Sequence, residues 1–259
     1  MTYCVGMMVN DGLAMIADTR TNAGVDNFSV YKKLHVFERP GERMIAVATA
    51  GNLSVTQTAL AMVAEGVRLP GHSEVETLEN APTLFRAAQL LGYAVNQVRQ
   101  EIAPTLEADN LKANASLLLG GQIAGGKLGL YLIYGQGNFI ECGVDTPYLQ
   151  IGELKYGKPI LDGALKLETP MAEAVKLGLI SFDSTIRSNL AVGLPFDLIV
   201  IGRDTLKGDQ RRVEVEDPYF HELGQRWAQA LADAYRAMPT PPWMEPLSTG
   251  GRPAISVVG

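Results

Sequence analysis

Hydrophobic and polar positions change period several times along this chain of 259 residues, and each change marks an element. Tyr3-Cys4-Val5-Gly6-Met7-Met8-Val9 is an apolar run beginning at residue 3. Asn10-Asp11-Gly12 interrupts it, and Leu13-Ala14-Met15-Ile16-Ala17 resumes it up to Asp18. Two such runs around a turn predict a buried β-hairpin. After a polar stretch at 19–27, residues 28–37 predict a third strand. It turns at 38–43 and returns as Met44-Ile45-Ala46-Val47-Ala48. Four strands in succession with tight turns predict an antiparallel sheet.

The period then becomes helical. Residues 53–65 have helical spacing, and a second helix is predicted from Pro82, in its first turn, to about Ile102. Leu84, Ala88, Leu91, Val95, Val98 and Ile102 form one stripe along it. Strands return at 115–123, at 127–134 beyond the Gly125-Gly126 turn, at 138–142 and at 148–151. Helices are predicted near Pro159 and over 170–187, a buried strand over 196–202, its partner over 211–216, and a long amphipathic helix over 218–238. Runs of strands alternating with runs of helices lack the strict β–α alternation of a parallel sheet. Two antiparallel sheets packed face to face, with helix layers outside both, fit this order. Residues 239–259 hold five prolines and a Gly250-Gly251 pair and read as a flexible tail. Trp243, Leu247 and Ile255-Ser256-Val257-Val258 could dock on a neighbouring subunit.

Composition narrows the function. A net charge of −6 with no block of basic residues argues against nucleic acid or an anionic membrane as the main partner. Cys4 and Cys142 are too few for a disulfide framework, and three scattered histidines make no metal motif, so no cofactor is expected. No apolar run approaches the ~20 residues of a membrane helix, and residue 1 is not followed by a basic region or a cleavage site of small residues. A cytoplasmic protein is expected. Phosphate-binding glycine loops, the G-x-S-x-G elbow and H-E-x-x-H are absent from the sequence.

The start of the chain carries the candidate chemistry. Initiator methionine is usually removed before a small residue, and removal of Met1 would leave Thr2 with a hydroxyl nucleophile and a free amine on one residue. That amine, with an ordinary pKa near ~7.7–8.0, can act as the base. A nearby lysine would favour the ionised hydroxyl, and a buried lysine needs a carboxylate partner to stay charged. Asp18, ending the second strand, and Lys33, in the third, are the candidates for that pair. Hairpin register tests the idea. A three-residue Asn10-Asp11-Gly12 loop places Thr2, Cys4, Asp18 and Arg20 on one face, whereas a two-residue turn would part Thr2 from Asp18. The three-residue loop is expected.

These residues carry a resemblance. Thr2-Tyr3-Cys4-Val5-Gly6, Ala17-Asp18-Thr19-Arg20-Thr21-Asn22-Ala23-Gly24, Lys32-Lys33-Leu34 and Ala50-Gly51-Asn52 resemble the front half of proteasome β-subunits and of the bacterial HslV peptidase. Gly137-Asn138-Phe139-Ile140, Gln150-Ile151-Gly152-Glu153, Lys155-Tyr156-Gly157-Lys158-Pro159-Ile160-Leu161-Asp162, Ser181-Phe182-Asp183-Ser184-Thr185 and Ser188-Asn189-Leu190 resemble the Anbu branch, the bacterial proteasome-related peptidases. The resemblance implies an α+β protein with the four-layer αββα sandwich of N-terminal-nucleophile hydrolases, one domain over 2–238, and assembly into a ring or open spiral. It implies threonine peptidase chemistry on peptides or unfolded protein, with any ATP-dependent unfoldase a separate partner. By motif, Thr2 is nucleophile and base, Asp18 and Lys33 are its charge pair, and Gly51 supplies the oxyanion N–H. Asp183 and Ser188 hydrogen-bond around the amine, and Arg20 braces the strand end. The chain departs from the pattern at Glu153, where proteasome subunits have a serine, and in a longer hairpin between Lys33 and Gly51. Two other functions are open to such a chain: an amidase acting on a small amide, and an assembly protein whose site is vestigial or restrained.

Overall fold

The computed structural model describes residues 1–22, 28–108 and 112–244. Leu247 and the apolar 255–258 segment, with most of the proline-rich tail, lie outside the described residues, as do Ala23 and Gly24. Twelve strands and five helices occur among the described residues. The first stretch holds β1 (Tyr3–Val9), β2 (Gly12–Asp18), β3 (Arg20–Asn22), β4 (Phe28–Val30), β5 (Leu34–Arg39) and β6 (Arg43–Gly51). Helices α1 (Leu53–Glu65) and α2 (Leu84–Ala108) follow, then β7 (Ala115–Ile123), β8 (Gly129–Tyr134), β9 (Phe139–Glu141) and β10 (Tyr148–Gly152). The rest is α3 (Lys158–Ala164), α4 (Met171–Ser188), β11 (Phe196–Gly202), β12 (Gly208–Val213) and α5 (Pro218–Ala237).

The strands make two five-stranded sheets, ordered β10-β1-β2-β11-β12 and β5-β6-β7-β8-β9, with β3 and β4 as a separate ribbon. Every neighbour pair is antiparallel. Three apolar clusters follow from the alternation of side chains across these strands. Cys4, Leu13, Met15 and Ala17 of one sheet share a cluster with Met44, Ala46, Leu118 and Leu130 of the other. Tyr3, Val5, Ile16 and Phe196 join Leu161, Ala174, Phe182 and Phe220 from α3, α4 and α5. Ile45, Val47, Leu117 and Ile133 join Val55, Ala59, Leu91 and Val95 from α1 and α2. β1 and β2 are buried almost throughout because helices cover one face and the second sheet the other.

Several boundaries differ from the sequence expectation for identifiable reasons. The β1–β2 loop is the two-residue Asn10-Asp11, since Val9 pairs with Gly12 and Cys4 with Ala17. Gly12 is therefore the first residue of the returning strand, and its role is close approach. A Cβ there would lie 2.2 Å from the Ile201 carbonyl oxygen of β11. The single strand expected over 28–37 is two strands in different layers, divided at residues 31–33, where the chain turns to bring Lys33 inside. β3 falls in the stretch read as polar loop. β12 starts three residues before the expected 211, because Asp204 and Leu206, both at positive φ, complete a tight reversal right after β11. α2 starts at Leu84, with the Thr83 hydroxyl capping Arg86 N–H at 3.0 Å, and runs past Pro104 to Ala108. Beyond the expected end at Ile102, Ala103 and Leu106 still pack on the helix-layer core.

Candidate active site

Strand β1 places residue 2 at the mouth between the sheets. Tyr3 is fully buried and pairs with Gly152, while the Glu153 N–H donates to the Thr2 carbonyl at 2.7 Å. Thr2 is 9% exposed although Met1, its neighbour, is 63% exposed. Gly152 has φ 85°, and a Cβ there would come within 1.9 Å of the Thr2 oxygen. Only glycine lets the two chains approach this closely.

Beside Thr2 lies a buried ion pair. The Lys33 Nζ donates to Asp18 Oδ1 at 2.9 Å and to the Arg20 carbonyl at 2.5 Å. The Tyr3 N–H donates to the same Asp18 oxygen at 3.1 Å. Asp18 is fully buried and its Oδ2 has no hydrogen-bond partner among the described residues. Burial pushes the Asp18 carboxyl up to about 6, against the pull of Lys33, the Tyr3 N–H and the amino terminus. Lys33 is 4% exposed and is held from behind by the Thr49 N–H on its carbonyl at 3.0 Å. The shorter hairpin loop was expected to part Thr2 from Asp18, yet the carboxylate reaches Lys33, which lines the same cleft as Thr2. Asp18 is the last residue of β2, so strand alternation no longer fixes where its carboxylate reaches.

The opposite wall comes from the end of β6. Gly51 has φ 107°, and a Cβ there would meet the Asn114 carbonyl oxygen at 2.2 Å. Asn52 caps α1 directly after it, accepting from Ser54 N–H at 3.0 Å and donating its own N–H to Asn114 at 2.6 Å. Gly51 is thus held from both sides. Thr2, Thr21, Lys33, Thr49, Gly51 and Gly152 line one cleft of about 290 Å³.

The remaining expected site residues lie elsewhere. Asp183 accepts Arg187 Nε at 2.8 Å and packs on α5, where a Cβ at Gly224 would be 2.4 Å from its Oδ1. It is on the α5 face of α4, whereas Gly178 and Ser181 of that helix meet Met7 and Tyr3. Ser188 is exposed at the end of α4. Asn189, one residue on, donates its Nδ2 to Glu153 Oε2 at 3.0 Å, next to the Glu153 N–H that holds Thr2. An asparagine after a helix reads as a cap, which is why the sequence did not single it out. Arg20 donates to the Leu190 carbonyl at 3.1 Å and lies against Gly193, joining β3 to the same segment.

Among the described residues no group of three or more His, Cys, Asp or Glu could hold a metal, and no helix is long and apolar enough to cross a membrane. Burial raises the Cys4 thiol far above its ordinary value, consistent with a packing role.

No family model and no curated protein matches the chain. Solved structures do. Anbu (ancestral beta-subunit) from Yersinia bercovieri is 43% identical, with a TM-score of 0.82 over 92% of this chain and 97% of that one. The Anbu complex of Pseudomonas aeruginosa, solved as a helical assembly, is 44% identical over 93% and 98%, with a TM-score of 0.85. Anbu from Hyphomicrobium sp. strain MC1 is 43% identical over 92% and 98%, with a TM-score of 0.83. Identity at this level along both chains leaves one conclusion: the chain belongs to the Anbu family, proteasome-related proteins named as ancestral β-subunits.

Proposed function

We propose that this chain is a threonine peptidase subunit that hydrolyses peptide bonds with Thr2 after loss of Met1. The observation carrying this reading is one cleft lined by Thr2, Gly51 and Lys33, with Lys33 paired to the buried Asp18 behind it. The freed α-amine takes the Thr2 hydroxyl proton as Oγ attacks the peptide carbonyl carbon. Lys33, kept charged by Asp18, favours the developing alkoxide. The Gly51 N–H meets the oxyanion, a contribution of ~2.7–4 kcal/mol for one such donor. The protonated amine then gives its proton to the departing amine, and water hydrolyses the remaining ester. Asp183 and Ser188 take no part.

The core clusters suit a four-layer αββα sandwich, a single domain over residues 2–238. By analogy with the helically assembled Pseudomonas aeruginosa relative, we extend self-association to this chain, as a ring or open spiral of identical subunits. An enclosed assembly would admit unfolded peptides, delivered by a separate unfoldase if at all.

Intact mass and N-terminal sequencing test the reading. The purified protein is expected to begin at Thr2 and to gain one β-lactone or peptide epoxyketone on that residue. Retained Met1, or no adduct, would sink it. A second reading, an assembly protein with a restrained site, draws on the buried Glu153 beside Thr2. It predicts normal assembly with no adduct at any pH.

A further inference from the structure

Resting on that reading, we infer that the Glu153 carboxylate, clamped by Asn189, is the counter-charge of the Thr2 amino group and sets the pH at which that amine acts as a base. Both are positioning residues: neither touches the scissile bond.

The argument begins with backbone. Antiparallel pairing of Tyr3 with Gly152 puts Glu153 directly across from Thr2, and the Glu153 N–H to Thr2 carbonyl bond, 2.7 Å, continues the ladder to that pair. The carboxylate is 4% exposed, so it has lost nearly all its water. What replaces water is meagre. Oε2 accepts the neutral Asn189 amide at 3.0 Å, and Oε1 is 3.6 Å from Lys155 Nζ, whose side chain is 71% exposed. A buried carboxylate with one neutral donor and one solvated cation is undercompensated, and an ammonium group at residue 2 would complete it.

Asn189 is built to hold that carboxylate still. Its N–H donates to the Thr185 carbonyl at 2.9 Å, ending α4, and its Oδ1 accepts the Ala191 N–H at 3.0 Å. The next residue's carbonyl accepts Arg20 Nη1 at 3.1 Å. With backbone and Oδ1 fixed, the amide nitrogen has one direction left, toward Glu153.

Other charges face residue 2 as well. β2 supplies Asp18, the segment before β5 supplies Lys33, and these neutralise one another at 2.9 Å. From α4 the nearest charges, Asp183 and Arg187, are paired with each other. On the loop after β10, Lys155 is Glu153's own partner, and Lys158, the first residue of α3, is paired with Asp162. Asp18 feels the amino terminus too but shares its charge with Lys33, whereas Glu153 has only a solvated cation beside it.

Competitive labelling with trace acetic anhydride, read by mass spectrometry of the N-terminal peptide across pH, gives the amine's titration whether or not the protein cleaves peptides. Glu153→Gln is expected to lower its midpoint by about 1 pH unit, and Asn189→Ala by less. An unmoved or raised midpoint in Glu153→Gln overturns the inference, leaving Glu153 as a loop anchor. Movement in Glu153→Gln without movement in Asn189→Ala overturns the clamp. Should Asn189→Ala fail to fold, Glu153→Gln decides. β-Lactone addition is followed in parallel: its absence with a shifted amine would sink the peptidase reading alone, and retained Met1 would sink both.

Discussion

Lys33 and Asp18 show how far one buried pair reaches. With Lys33 replaced by Met, Asp18 would be a fully buried carboxylate without its cation, a loss worth about 3–5 kcal/mol. The carboxyl can escape that penalty by taking up a proton. The loss in Lys33→Met should therefore be large at pH 8 and much smaller at pH 5, as denaturant unfolding at the two values would reveal. Equal losses would mean that Asp18 stays neutral throughout. In the unaltered protein the folded carboxyl titrates at about 6, above its ordinary 3.8. The folded state then binds more protons than the unfolded one between these values, so this group's contribution to stability falls as pH rises through that window and is flat above it. Its size is about 3 kcal/mol at most. Reaction at Thr2 runs the other way, since Lys33 needs an ionised partner, and β-lactone addition, already falling as the amine takes up a proton, should fall more steeply below pH about 6. At Gly51, alanine would strain a φ of 107° and drive a Cβ against the Asn114 carbonyl. Loss of about 10²-fold in adduct formation is expected, with α1 still folded by circular dichroism.

At the scale of elements, α4 has two working faces. Gly178, Ser181 and Phe182 meet β1 and β2, and Asp183 with Arg187 meets Gly224 of α5. Asp183→Ala should thus cost about 1–3 kcal/mol of stability and leave the rate of Thr2 labelling within about twofold. A large loss of labelling with stability intact would return Asp183 to the site. Periodicity alone gave the elements whose apolar positions face one dense layer: β7 and β11 fall on their expected bounds, and α1, α4 and α5 within a residue. It could not give β3 and β4, a ribbon too short to show a period. It also misjudged the first hairpin, because Gly12 looks like a turn residue while its missing Cβ answers to β11, a strand almost two hundred residues away. The pairing of Asp18 with Lys33 was readable from charge logic and motif. Asn189 was not, since its partner is set by where two loops cross.

The whole molecule sets the distance on which the chemistry depends. Thr2 and Asp18 belong to the sheet of β1 and β2, while Lys33 and Gly51 flank the sheet of β5 and β6. What separates them is the apolar layer between the sheets, in which Leu130 of β8 fills the space over Gly6 of β1 and touches the position over Gly120. Leu91, equally buried, packs in the outer layer between α2 and the second sheet. Truncating either to alanine should destabilise the protein by about 2–5 kcal/mol, since each leaves a cavity in a dense core. Their effects on the site should nevertheless differ. A collapse around Leu130→Ala moves one sheet against the other and so displaces Thr2 relative to Gly51, and an error near 1 Å in such geometry can cost about 10²-fold in rate. Collapse around Leu91→Ala moves a helix against the back of one sheet and leaves the spacing alone. Labelling of Thr2 by a β-lactone, measured where both variants are fully folded, should be slowed at least about 10-fold in Leu130→Ala and little in Leu91→Ala. Equal rates in the two would mean that backbone contacts at the cleft, such as Glu153 on Thr2 and Asn52 on Asn114, hold the site together without the layer beneath it.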